Sequence, residues 1–448
     1  MSGGKDDTIV IIGGGAAGMM AAIAAAGSGR PVLLLEQNEK LGKKLFITGK
    51  GRCNLTNASS SEQHLSSVVS NSRFLYSAET AFDAEAVMRF FESLGLRLKT
   101  ERGERVFPVS DHSSDVIRTL EYECRRLGVQ IRLHTKVKGL LVRNAETVEQ
   151  TTDSPDTAPK EADRKHKKKK TDEKPLQQIC GAELADGQKI PAAAVILATG
   201  GISYPLTGAD GSGHAMAEKV GHKITGLRPA LVPLMTKEGW VSQLAGLSLR
   251  NVSVTVKDGK KKLYEDFGEM LFTHRGVSGP VILSASSFVS RCLPGKLQLL
   301  IDLKPALEEE KLDHRLIREL EAAGTKQMKT VMAALLPHSM IGQVLRLAQV
   351  EEAARACDIS KQERRAILHI LKAFPLTITG TEGFEQAIIT QGGIHTKEIN
   401  PSTMESKLVS GLYFAGECMD VDALTGGFNL QIAWSTGRKA GLAAASAM

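Results

Sequence analysis

Aromatic residues are scarce in this 448-residue chain: Phe, Trp and Tyr together make up 4% of it, with 2 tryptophans and 5 tyrosines. A core assembled from large rings is thereby excluded, and Ala, Leu, Ile and Val must fill it. Cysteine is also sparse. The 6 cysteines, at positions 53, 124, 180, 292, 357 and 418, lie far apart and form no Cys-x-x-Cys pair, which argues against zinc ribbons and disulfide scaffolds. No metal site is expected. No apolar run reaches membrane-spanning length, and the opening MSGGKDD lacks the charged-then-apolar layout of a secretion signal. A reduced, cytoplasmic location without a membrane partner is the expectation. Neither charge dominates: the formal net charge is +7, compatible with a polyanionic partner without requiring one. The length is too great for one ordinary core, so two or three domains are expected.

What the chain does have is a glycine-punctuated opening. In TIVIIGGGAAGMMAAIAAAGSGRPVLLLEQ, Thr8 to Gln37, a short apolar run breaks at Gly13, Gly15 and Gly18 and passes into an Ala-rich helical segment; a second apolar run, Val32 to Leu35, ends on Glu36. This is one βαβ unit with dinucleotide-binding spacing. Gly13 permits the tight turn, Gly15 lets the backbone approach a pyrophosphate, and Gly18 lets the helix lie close on the strand. Unpaired N–H groups at the helix start face the phosphates, and Glu36 is placed to accept hydrogen bonds from a ribose diol.

The next stretch, Gln37 to Asn57, is a loop rich in Gly and Lys around a single Cys. Beside a pyrophosphate site it can supply N–H donors and cations to an anionic ligand; as a surface loop it would merely be basic. Ala81 to Leu94 and Val116 to Leu127 show helical spacing, while Val129 to Leu133, Val137 to Val142 and Ala193 to Ala198 read as strands. Between them, residues 144–178 contain almost no large apolar side chains and include RKHKKKK. Such a segment is expected to be a disordered excursion from a hairpin tip, either a tether for RNA or an inert solubilising loop.

From Gly226 the texture changes. Val252 to Val256, Lys262 to Tyr264, Met270 to Phe272 and Leu297 to Leu303 read as short strands divided by turns such as Asp258-Gly259 and Pro294-Gly295, and Pro305 to Phe374 is mostly amphipathic helix. The fold class expected is α/β: a discontinuous Rossmann-like FAD-binding domain (1–204 and 377–448) interrupted by a β-barrel-like region (205–305) and a helical subdomain (306–376).

The final segment, GLYFAGECMDVDALTGGFNLQIAWSTGRKAG, carries the distinction between FAD and NAD. Leu412 to Ala415 form a strand, Glu417 or Asp420 can take ribityl or ribose hydroxyls, and Gly426-Gly427 introduce a helix whose N-terminus suits the flavin's pyrimidine end, where negative charge gathers on reduction. Combined with the opening unit and with Ala198-Thr199-Gly200 after a strand, this points to bound FAD.

The blocks GGGAAG (13–18), TGKGRCNLTN (48–57), ATGGISYPLTGADGSG (198–213), FTHRGVSGP (272–280), TQGGI (390–394) and FAGECMDVDALTGGFNLQIAWSTG (414–437) resemble the BaiN/RdsA family of bacterial FAD-dependent flavoproteins over nearly the whole chain. Family members are named NAD(FAD)-utilising dehydrogenases or aminoacetone-oxidase-like proteins. They are associated with dihydrouridine formation in 23S ribosomal RNA and, in gut bacteria, with bile-acid reduction. The Lys-rich stretch is longer than the family's usual hairpin. Carried onto this chain, the resemblance implies that Gly13, Gly15, Ala16, Ala17, Gly18, Glu36 and Gln37 bind the AMP half of FAD, with Val137 near the adenine. Arg52, Cys53 and Asn54 would lie along the cofactor beyond the pyrophosphate, and Thr199, Gly200, Glu417, Asp420, Gly427, Asn429, Leu430 and Gln431 would complete the site.

The family chemistry is reduction of an activated C=C bond. For uridine, hydride delivered to C6 must be matched by a proton to C5. Cys53 is the first candidate for that acid, with a merely packed thiol as the alternative; His274 is the second, and the alternative for a histidine in such a turn is to orient backbone. Tyr204 and His395 are weaker candidates. No second glycine fingerprint exists for a separate NADH or NADPH domain, so reductant is expected to enter the same cavity. The leading expectation is a reductase of uridine in 23S rRNA or its precursor. The alternatives are a small-molecule enone or amine oxidoreductase and a non-catalytic flavin-bearing RNA-binding factor. Oligomeric state is open.

Overall fold

A computed structural model describes residues 7–144, 177–293 and 297–448. Its centre is a five-stranded parallel sheet in the order Leu412–Phe414, Ala194–Leu197, Ile9–Ile12, Val32–Leu35, Gln130–Arg132. Every residue of Ile9–Ile12, Val32–Leu35 and Ala194–Leu197 is buried, as continuous apolar runs require when both faces of a parallel sheet are covered.

The helix Ala16–Gly27 follows the first strand and crosses the C-terminal helix Phe428–Ser446 closely. Small residues make this possible: a Cβ on Gly437 would stand 2.4 Å from the carbonyl oxygen of Ala17, and one on Gly441 2.4 Å from that of Ala21. The alanine-rich, aromatic-poor composition is thus the composition of a helix pair packed backbone to backbone.

The fold class expected from sequence is the one observed, with an inserted closed barrel of six antiparallel strands. Around the barrel run Leu234–Thr236, Gly276–Ser278, Lys261–Phe272, Ser248–Asp258, Leu297–Asp302 and Phe374–Thr381. The helices Glu309–Ala323, Met328–Met332, His338–Leu347 and Lys361–Lys372 leave the chain between the last two of these strands. They share one apolar core with the barrel: Leu312, Leu316, Val344 and Leu371 pack in the same cluster as Leu299, Ile301 and Leu376. The boundary drawn at 376/377 falls inside the strand Phe374–Thr381. Similarly, Met216, Ala217 and Val220 belong to the core of the parallel sheet, so the stretch after residue 205 stays with the nucleotide-binding body. Lys262 to Tyr264 and Met270 to Phe272, read as two strands, are one.

The chain leaves for the barrel through Arg228–Ala230 and returns through Ile389–Gln391, and these two strands pair with each other. The strands Val137–Asn144 and Gln177–Leu184 also pair, with Asn144 opposite Gln177. Of the Lys-rich excursion assigned to 144–178, residues 145–176 lie outside the described residues, as does the Pro294-Gly295 turn. No helix among the described residues is long and apolar enough to cross a membrane.

Candidate cofactor crevice

At the carboxyl end of the parallel sheet, the three fingerprint glycines do different work. A Cβ on Gly13, where φ is +106°, would stand 2.5 Å from the carbonyl oxygen of Ala198; one on Gly18 would stand 1.8 Å from that of Gly13. Those two are fixed by packing. A Cβ on Gly15 would meet nothing within 4 Å, and the helix it introduces has no side-chain cap. Open space in front of uncapped N–H groups is what an anionic ligand needs.

Glu36 closes one end. Its Oε2 accepts the N–H of Gly14 at 2.7 Å, and its Oε1 accepts the N–H and Nδ2 of Asn38 at 2.8 and 2.7 Å. A carboxylate has about four acceptor positions, so one remains for a ligand hydroxyl. Gln37 donates to the carbonyl of Gly208 at 2.5 Å. Val137 is buried two residues beyond Thr135, whose N–H meets the Glu36 carbonyl at 2.8 Å.

At the other end, Glu417 stands after the strand Leu412–Phe414. Lys44 Nζ reaches both its oxygens, at 2.9 Å and 2.6 Å, while Ser203 Oγ and the N–H of Thr390 donate to Oε1 at 3.1 and 2.7 Å. Gly200 lies on the Oε2 side, where its Cβ would be 3.9 Å away. Gly416, beside Glu417, abuts Ala17 in the first turn of the phosphate-facing helix. The two ends are therefore one crevice. Two buried polar atoms from residues predicted to line it, Thr199 Oγ1 and Asn54 Oδ1, have no hydrogen-bond partner among the described residues. Buried acceptors left unpaired are costly, and a ligand rich in hydroxyl and amide groups would satisfy them. The residues present fit FAD.

Several predicted contacts are redirected. The Arg52 guanidinium is taken by Glu101 and Asp111, both at 2.5 Å, and lies over the ring of Phe107; the two carboxylates hold its pKa above the usual value, Arg52 holds that of Glu101 below its own, and Asp111 is held low by Lys99 first and by Arg52 second. Asn429 does not face a cofactor with its side chain: Nδ2 donates to the Ala423 carbonyl at 2.8 Å and Oδ1 accepts the Ala423 N–H at 3.0 Å. Gln431 is buried and bonded to Thr56, Phe82 and Ser435. What the helix start offers a ligand is its uncapped N–H row around Leu430, behind Gly427, where φ is +105° and a Cβ would strike the Thr56 carbonyl at 2.4 Å. Asp420 is half-buried, with its N–H on the carbonyl of Ile394 and its carbonyl accepting from Asn71.

The proton-donor candidates separate in the same way. Cys53 is 0% exposed within the main core, and burial pushes its thiol up to about 12. A thiol closed off by protein atoms does not meet a substrate, so the packed alternative holds. His274 is exposed in the turn between the barrel strands Lys261–Phe272 and Gly276–Ser278. His395 accepts the Lys397 N–H and caps a short 3-10 turn; Tyr204 is half-buried at the start of another.

Sequence reasoning missed Lys44, hidden among the lysines of its loop, and also Ser203, Thr390 and Asp422. Asp422 is fully buried, accepting from Ser70 Oγ and from Gln391 Nε2 at 2.8 Å, with Arg291 at 3.6 Å. Burial holds its carboxyl above the ordinary range; the hydrogen bonds and the Arg291 charge oppose that, and Asp420 adds to it. A folded-state pKa above the unfolded one, about 3.9, gives a stabilising contribution that is complete below the unfolded value and lost as pH rises through the folded one. Urea unfolding should therefore show Asp422→Asn gaining on the parent as pH is raised from 4 to 8. A difference independent of pH would rule this out.

Among the described residues, no group of three or more His, Cys, Asp or Glu side chains could hold a metal ion. The family model for the HI0933-like protein Rossmann domain matches residues 7–443. The chain belongs to the HI0933-like family. Within and around that family, it is 34% identical over 416 residues to a 3-dehydro-bile acid delta(4,6)-reductase of Clostridium scindens, covering 92% of each chain. It is 30% identical over 412 residues to a ribosomal RNA dihydrouridine synthase of Haemophilus influenzae, covering 91% of each. Among solved structures, it is similar to 3-ketosteroid-delta4-(5alpha)-dehydrogenase from Rhodococcus jostii RHA1, with 15% identity and a TM-score of 0.47 over 99% of this chain and 98% of that one. As an HI0933-like protein with this crevice, the chain is an FAD-dependent oxidoreductase.

Proposed function

We propose that this oxidoreductase reduces a C=C bond conjugated to a carbonyl, and that its substrate is uridine in 23S ribosomal RNA or its precursor, with NADH or NADPH as the electron source. FAD, when bound, would supply the two-electron redox chemistry. The chain's residues hold and orient. Gly13 to Gly18 and Glu36 would take the adenosine diphosphate half, Thr199 and Asn54 would spend their unpaired oxygens on the cofactor, and the N–H row at Leu430 would face developing negative charge. Of the four proton-donor candidates, His274 alone is exposed to solvent, Tyr204 and His395 being half-buried and Cys53 buried.

The observation that carries the RNA reading is the loop just beyond Lys44. Phe46 and Ile47 are 48% and 40% exposed, Lys40 Nζ lies 5.3 Å from the centre of the Phe46 ring, and Lys50 stands exposed at φ +59°. An exposed ring flanked by cations suits an unstacked base and its phosphates, and a uridine must leave its stack to reach a flavin. The relatives named ribosomal RNA dihydrouridine synthases support this reading. The second reading, a small-molecule enone reductase, is favoured by the higher identity to the bile-acid reductase.

Mass spectrometry of 23S rRNA from cells with and without the gene separates them. Loss of one dihydrouridine, restored by the gene, is expected. A full complement without the gene would overturn the RNA reading, and reoxidation of the reduced enzyme by an α,β-unsaturated ketone would then favour the second. Reoxidation by neither substrate would point to a non-catalytic factor.

A further inference from the structure

We infer that Lys44 is the counter-charge of the crevice, a positioning residue that neutralises Glu417 so that the pyrophosphate of a dinucleotide can lie among carboxylates. The inference rests on the FAD reading above and adds to it a residue and a reason.

The crevice is short of positive charge. Two carboxylates, Glu36 and Glu417, stand at its ends, and a pyrophosphate would bring about two more negative charges. The N–H donors on Glu36 are dipoles that leave its charge in place, and a helix N-terminus counts for only about half a unit charge. Between residues 40 and 52 the loop carries five cations, and four of them do not pair with Glu417. Lys40 lies over Phe46, Lys43 is 3.2 Å from Glu39, Lys50 is exposed, and Arg52 is held by Glu101 and Asp111.

Lys44 alone turns inward. Its Nζ is 2.6 Å from the nearer Glu417 oxygen and 2.7 Å from Ser203 Oγ, and the side chains of the ion pair are only 24% and 22% exposed. The arrangement closes on itself: Thr390 donates its N–H to Glu417 at 2.7 Å, and its Oγ1 accepts the N–H of Ser203 at 3.0 Å. Four segments that are distant in sequence meet on this one pair, next to the first turn of the helix Ala16–Gly27. Without Lys44, a carboxylate locked in place by Ser203 and Thr390 would face an anionic ligand with its full charge.

Flavin fluorescence titrations of the full-length apoprotein test this. Lys44→Met should weaken FAD binding by about 10- to 100-fold. In a Glu417→Gln background, adding Lys44→Met should change FAD affinity by no more than about threefold. Disappearance of the Lys44 effect once the second charge is removed is a result that a merely structural lysine would not give, and the melting temperature of each apoprotein monitors folding separately. Unchanged affinity in Lys44→Met, or an equal loss when Lys44→Met is added to Glu417→Gln, overturns the inference. Failure of the parent chain itself to bind FAD would instead overturn the cofactor reading.

Discussion

Gly18→Ala is expected to give a protein that holds no FAD and is destabilised by about 3 kcal/mol or more, read by urea unfolding. The added methyl would sit 1.8 Å from the carbonyl oxygen of Gly13. That neighbour is backbone, held in turn by the strand Ile9–Ile12 and by the Gly13 N–H on the Leu35 carbonyl at 2.9 Å. Nothing flexible can yield, so the helix Ala16–Gly27 must lift from the sheet and disturb its crossing with the C-terminal helix. Gly15→Ala makes the contrast. Its methyl meets no protein atom and its backbone is already extended, so this variant should unfold like the parent and lose FAD through encroachment on the ligand alone. Equal stability of the two variants would mean that the fingerprint glycines are not divided between packing and ligand as described.

The second large effect is expected at Glu36. Glu36→Ala should lower FAD affinity at least about 100-fold, because it removes the hydroxyl acceptor and also strands three donors, each losing a charge-assisted hydrogen bond worth roughly 1.5–3 kcal/mol. The N–H of Gly14 and both donors of Asn38 now converge on one carboxylate that is 8% exposed. Released, the donors of Asn38 would keep only the Nδ2 bond to the Thr207 carbonyl at 3.0 Å, and the turn after the strand Val32–Leu35 would be held less firmly. Flavin content of the purified protein is the direct measurement. Stoichiometric FAD in Glu36→Ala would remove this residue from the site.

The opening βαβ unit was readable because its signals are local: an apolar run, glycines at fixed offsets, and an acid at the end of the next run all lie within thirty residues. The reading failed where direction mattered. The motif GKGRCN was read as lying next to the cofactor, but spacing does not say which way a side chain turns. Arg52 points to Glu101 and Asp111, and Cys53 points into the core. Both anchor a loop in which Lys50 and Cys53 adopt left-handed backbone. Asn429 and Gln431 likewise spend their amides on the protein, leaving the backbone N–H row to face outward. Lys44 was out of reach for another reason: its partner is 373 positions away, and no local pattern marks one lysine among several. The helical segment looked like a domain of its own because amphipathic periodicity reports that a face is buried without naming what buries it; the barrel does so here.

The paired strands Arg228–Ala230 and Ile389–Gln391 join the two bodies of the molecule, and Thr390, at the middle of the returning strand, holds Glu417 by its N–H and Ser203 by its hydroxyl oxygen. The connector is thus mechanically geared to the crevice. A single-stranded linker would let the barrel swing freely, but here any tilt is delivered as a pull on a carboxylate.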